Sequence, residues 1–174
     1  MRVPWGGTMR DSAPVVDASV FLGMHHRDEQ IRQRSLRFFR DHFHDRVWMS
    51  FEQIGLCDSI IWRQSREVQD LYYPFMDRLH SDMRIERGGY CARELALAIG
   101  HRELQRLRPE RALVAAQVLA RGAVLVSHDP VLRRLRCLQS HLWDFDAVRA
   151  PVEFPPTLQA LYESSRAFVH ATLE

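Results

Sequence analysis

The stretch from Pro109 to Pro130 constrains the fold more than any other part of the chain. Pro109 suits the first turn of a helix, where its missing N–H has no partner to lose and its φ is already set. The segment ERALVAAQVLAR follows with apolar residues at helical spacing, and Gly122 stands where such a helix ends. Ala123-Val124-Leu125-Val126 is then a short unbroken apolar run, the pattern of a strand buried on both faces. It closes on Ser127-His128-Asp129-Pro130, and Pro130 opens another helix to about Cys137. A helix, a buried strand and an acid at the strand's end form the repeating unit of a parallel sheet covered by helices.

The rest of the chain repeats that pattern. Val15 to Leu22 reads as a buried strand that meets a lone acid, Asp17. Asp28 or a neighbour caps a helix to about residue 41. Val47-Trp48-Met49 reads as a second strand, and Ser50 as the N-cap of a helix through about residue 66. A further helix is expected over 68–80, kinked at Pro74, then a polar loop over 81–89 and a helix over 90–105. Leu142 to Phe145 reads as a last strand, and a helix over 157–172 closes the chain. The expected fold is α/β with a mainly parallel central sheet. The expected division is a flexible lead over 1–13, one domain over 14–150 and a C-terminal extension over 151–174. The helix of that extension, with Leu158, Leu161, Tyr162, Phe168 and Val169 on an amphipathic pattern, packs on the domain or on a dimer mate.

Composition removes several function classes. The 174 residues carry 24 basic and 22 acidic side chains, a net charge of +2, so no strong nonspecific pull on nucleic acid is expected. Every basic residue is arginine. That usage fits a GC-rich coding genome, and it also fits a preference for forked phosphate donors. Cys57, Cys91 and Cys137 are scattered without CxxC spacing, which suits a reducing compartment, and the histidines form no HExxH or other zinc spacing. There is no apolar run near the ~20 residues of a membrane span and no signal-peptide pattern. A cytoplasmic protein with no membrane partner is expected.

Three acids follow or adjoin expected strands: Asp17, Glu52 and Asp129. Sites in parallel α/β sheets form at the carboxyl ends of the strands. If the three strands are neighbours, the carboxylates converge and repel one another unless a cation neutralises them. Oxygen-only ligation favours Mg²⁺ or Mn²⁺ over Zn²⁺, and such a metal activates water against a phosphodiester. Each acid alone has a structural alternative: Asp17 and Asp129 as helix caps, Glu52 as a favourable charge at a helix start.

The segments VVDASVFLG, MSFEQ and RALVAAQVLARGAVLVSHDPVL resemble the motifs of PIN-like domains over roughly residues 14–145. That superfamily holds metal-dependent ribonucleases, including toxins of toxin–antitoxin pairs. The resemblance implies a compact α/β/α sandwich with an acidic Mg²⁺ or Mn²⁺ pocket, RNA as substrate, an antitoxin-like protein as a partner and a homodimer. It assigns Asp17, Glu52 and Asp129 as catalytic metal ligands, and gives Ser19 and Ser127 the holding of an acid or a metal-bound water. A turn hydrogen bond is the alternative for both serines.

The sequence departs from the family pattern at Arg111, where an acid usually opens the helix that contains ALVAA. Glu110 precedes it, about 100° around the helix. Three readings stand: Glu110 is a fourth ligand, Arg111 fills the space of the metal, or Arg111 aims its guanidinium at a bound phosphate.

Arg32, Arg34, Arg37 and Arg40 in one helix, with Arg133, Arg134 and Arg136 after the SHDP turn, are expected to border the pocket mouth. Arg34, Arg37, Arg133 and Arg134 are the candidates for tracking a phosphate backbone, with Trp48, Tyr72 or Tyr73 as stacking partners. The alternative is that they are solvated helix faces. Phe38, Phe39 and Trp62 are expected in the core or an interface. His128 stands beside Asp129 as a proton donor, although neighbours at a strand end point apart. The expected function is therefore a metal-dependent ribonuclease. The alternatives are a PIN-like module that binds RNA, a protein or itself without cutting, and a metal pocket serving small-molecule biosynthesis.

Overall fold

The structure, a computed structural model, describes residues 13–145 and 151–169. The expected lead over 1–13 falls, apart from Ala13, outside them. In chain order the elements are β1 (Val15–Val16), α1 (Ala18–Gly23), α2 (Glu29–Asp41), β2 (Arg46–Ser50), α3 (Phe51–Ile61), α4 (Arg66–Asp82) and β3 (Arg84–Gly88). Then come α5 (Ala92–Gly100), a 3₁₀ turn (Leu104–Arg106), α6 (Pro109–Arg121), β4 (Leu125–Val126), α7 (Pro130–Arg133), a second 3₁₀ segment (Arg136–His141) and α8 (Pro156–Ser165). Pro109 opens α6 and Gly122 ends it at φ 60°, the left-handed conformation that glycine adopts without a Cβ penalty.

The strands form one parallel sheet in the order β3-β2-β1-β4. Helices cover both faces, and the architecture is an α/β/α sandwich. Alternation along the two central strands sorts the core: Val16 and Val126 face the layer of α1, α2, α4 and α8, while Val15 and Leu125 face the layer of α5 and α6. Phe39, Phe75, Leu79 and Leu158 fill the first layer, and Leu104, Ala115, Val118 and Leu138 the second, all fully buried.

Several expected boundaries move. The apolar run after Val16 leaves the sheet at Asp17, which caps α1. The expected loop over 81–89 contains β3, paired along its length with β2 from Arg46↔Arg84 to Ser50↔Gly88. Its outward side chains are charged, as suits an edge strand, and Arg46 pairs with Glu86 at 2.7 Å. The expected helix over 90–105 is α5 plus a 3₁₀ turn. The strand expected at Leu142–Phe145 reduces to one parallel bridge, Leu125↔Leu142. α4 runs through Pro74 without ending there. The C-terminal helix packs on α4 of its own chain. Tyr162 Oη donates to the Met24 carbonyl at 2.8 Å and the Ser165 hydroxyl bonds His25 Nε2 at 2.7 Å, while Val169 stays exposed. Among the described residues no helix is long and apolar enough to cross a membrane.

Candidate functional site

The two central strands set the site. Val15↔Leu125 and Val16↔Val126 are in register, so the next residues, Asp17 and Ser127, lie side by side at the carboxyl edge. Asp17 turns the chain into α1. Its Oδ1 accepts from the Ser19 N–H at 3.0 Å, the Val20 N–H at 3.3 Å and the Ser19 hydroxyl at 2.5 Å. Its Oδ2 accepts from the Ser127 hydroxyl. The two serines then reach onward: Ser19 Oγ accepts from the His128 N–H at 2.8 Å and Ser127 Oγ from the Asp129 N–H at 3.0 Å. A pair of hydroxyls thus fixes both strand-end acids. Burial pushes the Asp17 carboxyl up to about 6, against the pull of the Ser127 and Ser19 hydrogen bonds and with a push from the charge of Asp129.

Asp129 caps α7 with Oδ1, which accepts from the Val131 N–H at 2.7 Å and the Leu132 N–H at 3.4 Å. Its Oδ2 accepts from Arg111 Nε at 2.7 Å, and the two side chains keep only 10% and 18% of their surface exposed. Arg111 reaches Asp129 from the first turn of α6. One residue earlier, Glu110 takes Arg108 Nε on Oε1 at 2.7 Å. A cavity of about 270 Å³ lies between α1, α3 and α6. Its carboxylates are Asp17, Glu110 and Asp129, and its guanidiniums are Arg63, Arg108 and Arg111. The charges lining it therefore balance formally.

Glu52 is placed differently from Asp17 and Asp129. It does not line the cavity; its neighbour Gln53 does, and Gln53 Oε1 accepts from the Ala18 N–H at 2.9 Å. Glu52 Oε2 instead accepts from Tyr90 Oη at 2.5 Å, and Tyr90 also bonds the Ser50 hydroxyl at 2.9 Å. Burial raises the Glu52 carboxyl, and the charge of Glu110 adds to it. Asp17, Glu110 and Asp129 are thus brought together, while Glu52 stands to one side of them. Gln53, Arg63 and Tyr90 join this region without any motif to mark them; the adjacency of Gln53 to Glu52 is the one signal in the sequence.

The acids of the cavity are engaged within the chain as arranged. Among the described residues there is no group of three His, Cys, Asp or Glu side chains that could hold a metal ion. Both oxygens of Asp17 and of Asp129 already accept from donors of the chain itself, and the charge beside Asp129 is the Arg111 guanidinium.

The expected arginine surface divides. Arg34 and Arg133 line a cleft with His128 and Phe145. Arg133 Nη1 is committed to the Ser127 and Trp143 carbonyls at 3.2 Å each. Arg37 pairs with Asp41 at 3.5 Å, and Arg134 is exposed. Of the expected stacking residues, Tyr72 is buried at 2% exposure and Trp48 lies under the Arg121 guanidinium at 3.8 Å. Trp62, expected in a core or interface, is 70% exposed because α3 ends just before it. His128 turns away from Asp129 and hydrogen-bonds Ser35 Oγ through Nε2 at 2.9 Å.

Residues 9–173 match the profile of DUF6190, described as a family of unknown function. No curated protein and no solved structure matches the chain.

Proposed function

The chain belongs to the DUF6190 family, and we propose that it is a PIN-like module that binds RNA without cutting it, with Arg111 standing where the resemblance puts a metal. One observation carries this reading: Arg111 Nε bonds Asp129 Oδ2 at 2.7 Å inside the shared cavity. A guanidinium there supplies the positive charge that apposed carboxylates require, but it activates no water as a metal does. The RNA part rests on the cavity's rim. Arg63 and Arg108 are exposed there and offer phosphate contacts, and the exposed Trp62 beside Arg63 offers a face for a base.

Labelled single-stranded RNA, read by anisotropy and by gel, tests this with manganese and with chelator. Binding is expected in both conditions, with intact RNA in both, and Arg63→Ala is expected to weaken it several-fold. Calorimetry is expected to show Mn²⁺ binding in Arg111→Asp and none in the parent chain. Absence of RNA binding would remove the ligand assignment.

A second reading, a Mg²⁺- or Mn²⁺-dependent ribonuclease, keeps one observation in its favour. The charge of Asp129 raises the carboxyl of Asp17, so these two acids feel each other in a cavity that Glu110 also lines. An antitoxin-like partner and a homodimer belong to that reading. It requires Arg111 to leave Asp129. Manganese-dependent cleavage that disappears in Asp17→Asn would establish it in place of the first.

A further inference from the structure

The acid cavity is graded in charge from its floor to its mouth. Asp17 and Asp129, at the carboxyl edge of the sheet, are 3% and 7% exposed. Asp129 is answered by Arg111, whereas Asp17 accepts from hydroxyls and backbone amides and forms no ion pair among the described residues. Glu110 stands further out, its side chain 25% exposed. Arg108 and Arg63 are at the rim. The Arg108 side chain is 72% exposed and held by Glu110, while Arg63 is exposed and has no ion-pair partner among the described residues. Between floor and rim runs one stripe of α3: Leu56, Ser59, Ile60 and Arg63 line the cavity at spacings of three and four residues, which is a single helix face. Leu56 and Ile60 are half-buried and make an apolar shelf that ends at the Arg63 guanidinium.

Size and charge together decide which part of a strand fits. The volume of about 270 Å³ is at the lower end of small-molecule sites and has room for one nucleotide, not for a length of strand. A 5′-phosphorylated end would carry its phosphate inward against Asp17 and Glu110, where like charges repel. An internal nucleotide carries a phosphate on each side of its ribose, but the rim offers one cation, Arg63, that no acid among the described residues already holds. A 3′-terminal nucleotide has a single phosphate, on its outward side, and two neutral hydroxyls on its inward side. Hydroxyls donate to carboxylates, and a carboxylate has about four acceptor positions, of which Arg108 Nε takes one at Glu110. The apolar shelf of Leu56 and Ile60 receives the face of the base.

We infer that the cavity takes the 3′-terminal nucleotide of a single-stranded RNA, its hydroxyls at Glu110, its base on Leu56 and Ile60 and its phosphate at Arg63. The inference rests on the RNA reading of this same cavity and adds which part of the strand it holds. The exposed Trp62, beside Arg63, is then the face for the preceding base, outside the cavity.

The test is a competition read by anisotropy, in which unlabelled RNAs displace a short labelled single strand from the full chain. A linear strand with a free 3′ hydroxyl is expected to compete best. The same sequence closed into a circle, or ended by a 3′ phosphate, is expected to be about tenfold weaker, the loss of one charge-assisted contact. A 5′ phosphate is expected to change nothing, and Glu110→Gln, in a chain whose thermal unfolding shows it folded, to remove most of the penalty of the 3′ phosphate. A circle that competes as well as the linear strand, or a 3′ phosphate without effect, would overturn this inference and leave the RNA reading standing. If no RNA of any form binds, the RNA reading falls, and calorimetry with uridine 5′-monophosphate decides the pocket. Saturable binding that weakens in Glu110→Gln would support the nucleotide site without a strand, and no binding would overturn it too.

Discussion

The Ser127 hydroxyl donates to Asp17 Oδ2 across two neighbouring parallel strands, so the carboxyl edge of the sheet is tied by side chains as well as by its ladder. Those bonds do not offset the burial of Asp17, whose carboxyl is held at about 6 against an ordinary 3.8. A carboxyl raised in the folded state contributes stability that is full below the unfolded value and is lost as pH rises through the folded one. Asn at this position is neutral at every pH. Asp17→Asn should therefore gain on the parent chain by up to about 3 kcal/mol between about pH 4 and pH 7. Urea unfolding across that range measures the gap, and parallel stability curves would contradict it.

His128 acts with the opposite sign. Its ring stacks on Phe145, centroids 4.4 Å apart and planes at 17°, and bonds Ser35. Burial first, then the charges of Arg133, Arg34 and His26, depress it to about 3 from 6.5. A histidine kept neutral by folding contributes stability that is full above its unfolded value and is lost as pH falls below it. Between about pH 6.5 and 5 the parent chain should lose about 2 kcal/mol through this group, and His128→Gln should lose that slope. Ring resonances followed by NMR should show His128 still neutral at about pH 5; a midpoint near 6.5 would contradict the burial argument.

The acids at the strand ends were legible because a buried strand announces itself as an apolar run and the next acid has little choice of place. Asp17 and Asp129 follow that rule. Glu52 does not, because α3 starts directly off β2 with no connecting loop, and one residue of uncertainty in a helix turns a side chain by about 100°. Gln53 faces the cavity instead. β3 was illegible for a different reason: Arg84, Glu86 and Arg87 give it the polarity of a loop, and only its ladder to β2 makes it a strand. Arg111 was visible as a departure from the expected acid. That it lands on Asp129 is a contact between residues far apart in the chain, which no local pattern encodes.

Glu94 and Arg121 give a prediction about the opposite helical layer. Glu94, 1% exposed, accepts from Arg121 Nε at 2.7 Å and from the Cys91 N–H at 2.8 Å, and the Arg121 guanidinium covers the Trp48 ring. Removing the partner of a buried charge leaves that charge uncompensated. Arg121→Met should destabilise the chain by about 3 kcal/mol. Arg121→Lys should recover only part of this, because an ammonium keeps the charge without the planar face on Trp48. Chemical denaturation of the two variants checks the order, and equal losses would show that charge alone matters.

Two helical glycines should respond to alanine with opposite signs. Gly55 is exposed in α3, and a Cβ there would meet nothing within 4 Å. Gly55→Ala removes backbone freedom from the unfolded chain at no steric cost, so it should stabilise by about 0.5–1 kcal/mol. Gly23 ends α1 against α2, and a Cβ there would lie 2.3 Å from Ser35 Oγ and 3.3 Å from His128 Cδ2. Ser35 is fully buried and its hydroxyl is the one that holds His128, so it has no space to yield. Gly23→Ala should destabilise by about 1–3 kcal/mol, the usual range for overpacking. Ser35→Gly combined with Gly23→Ala should relieve the clash, and a double-mutant cycle of unfolding free energies reads that coupling directly. Additive losses in the cycle would mean that Gly23 is required for some reason other than the close approach of Ser35.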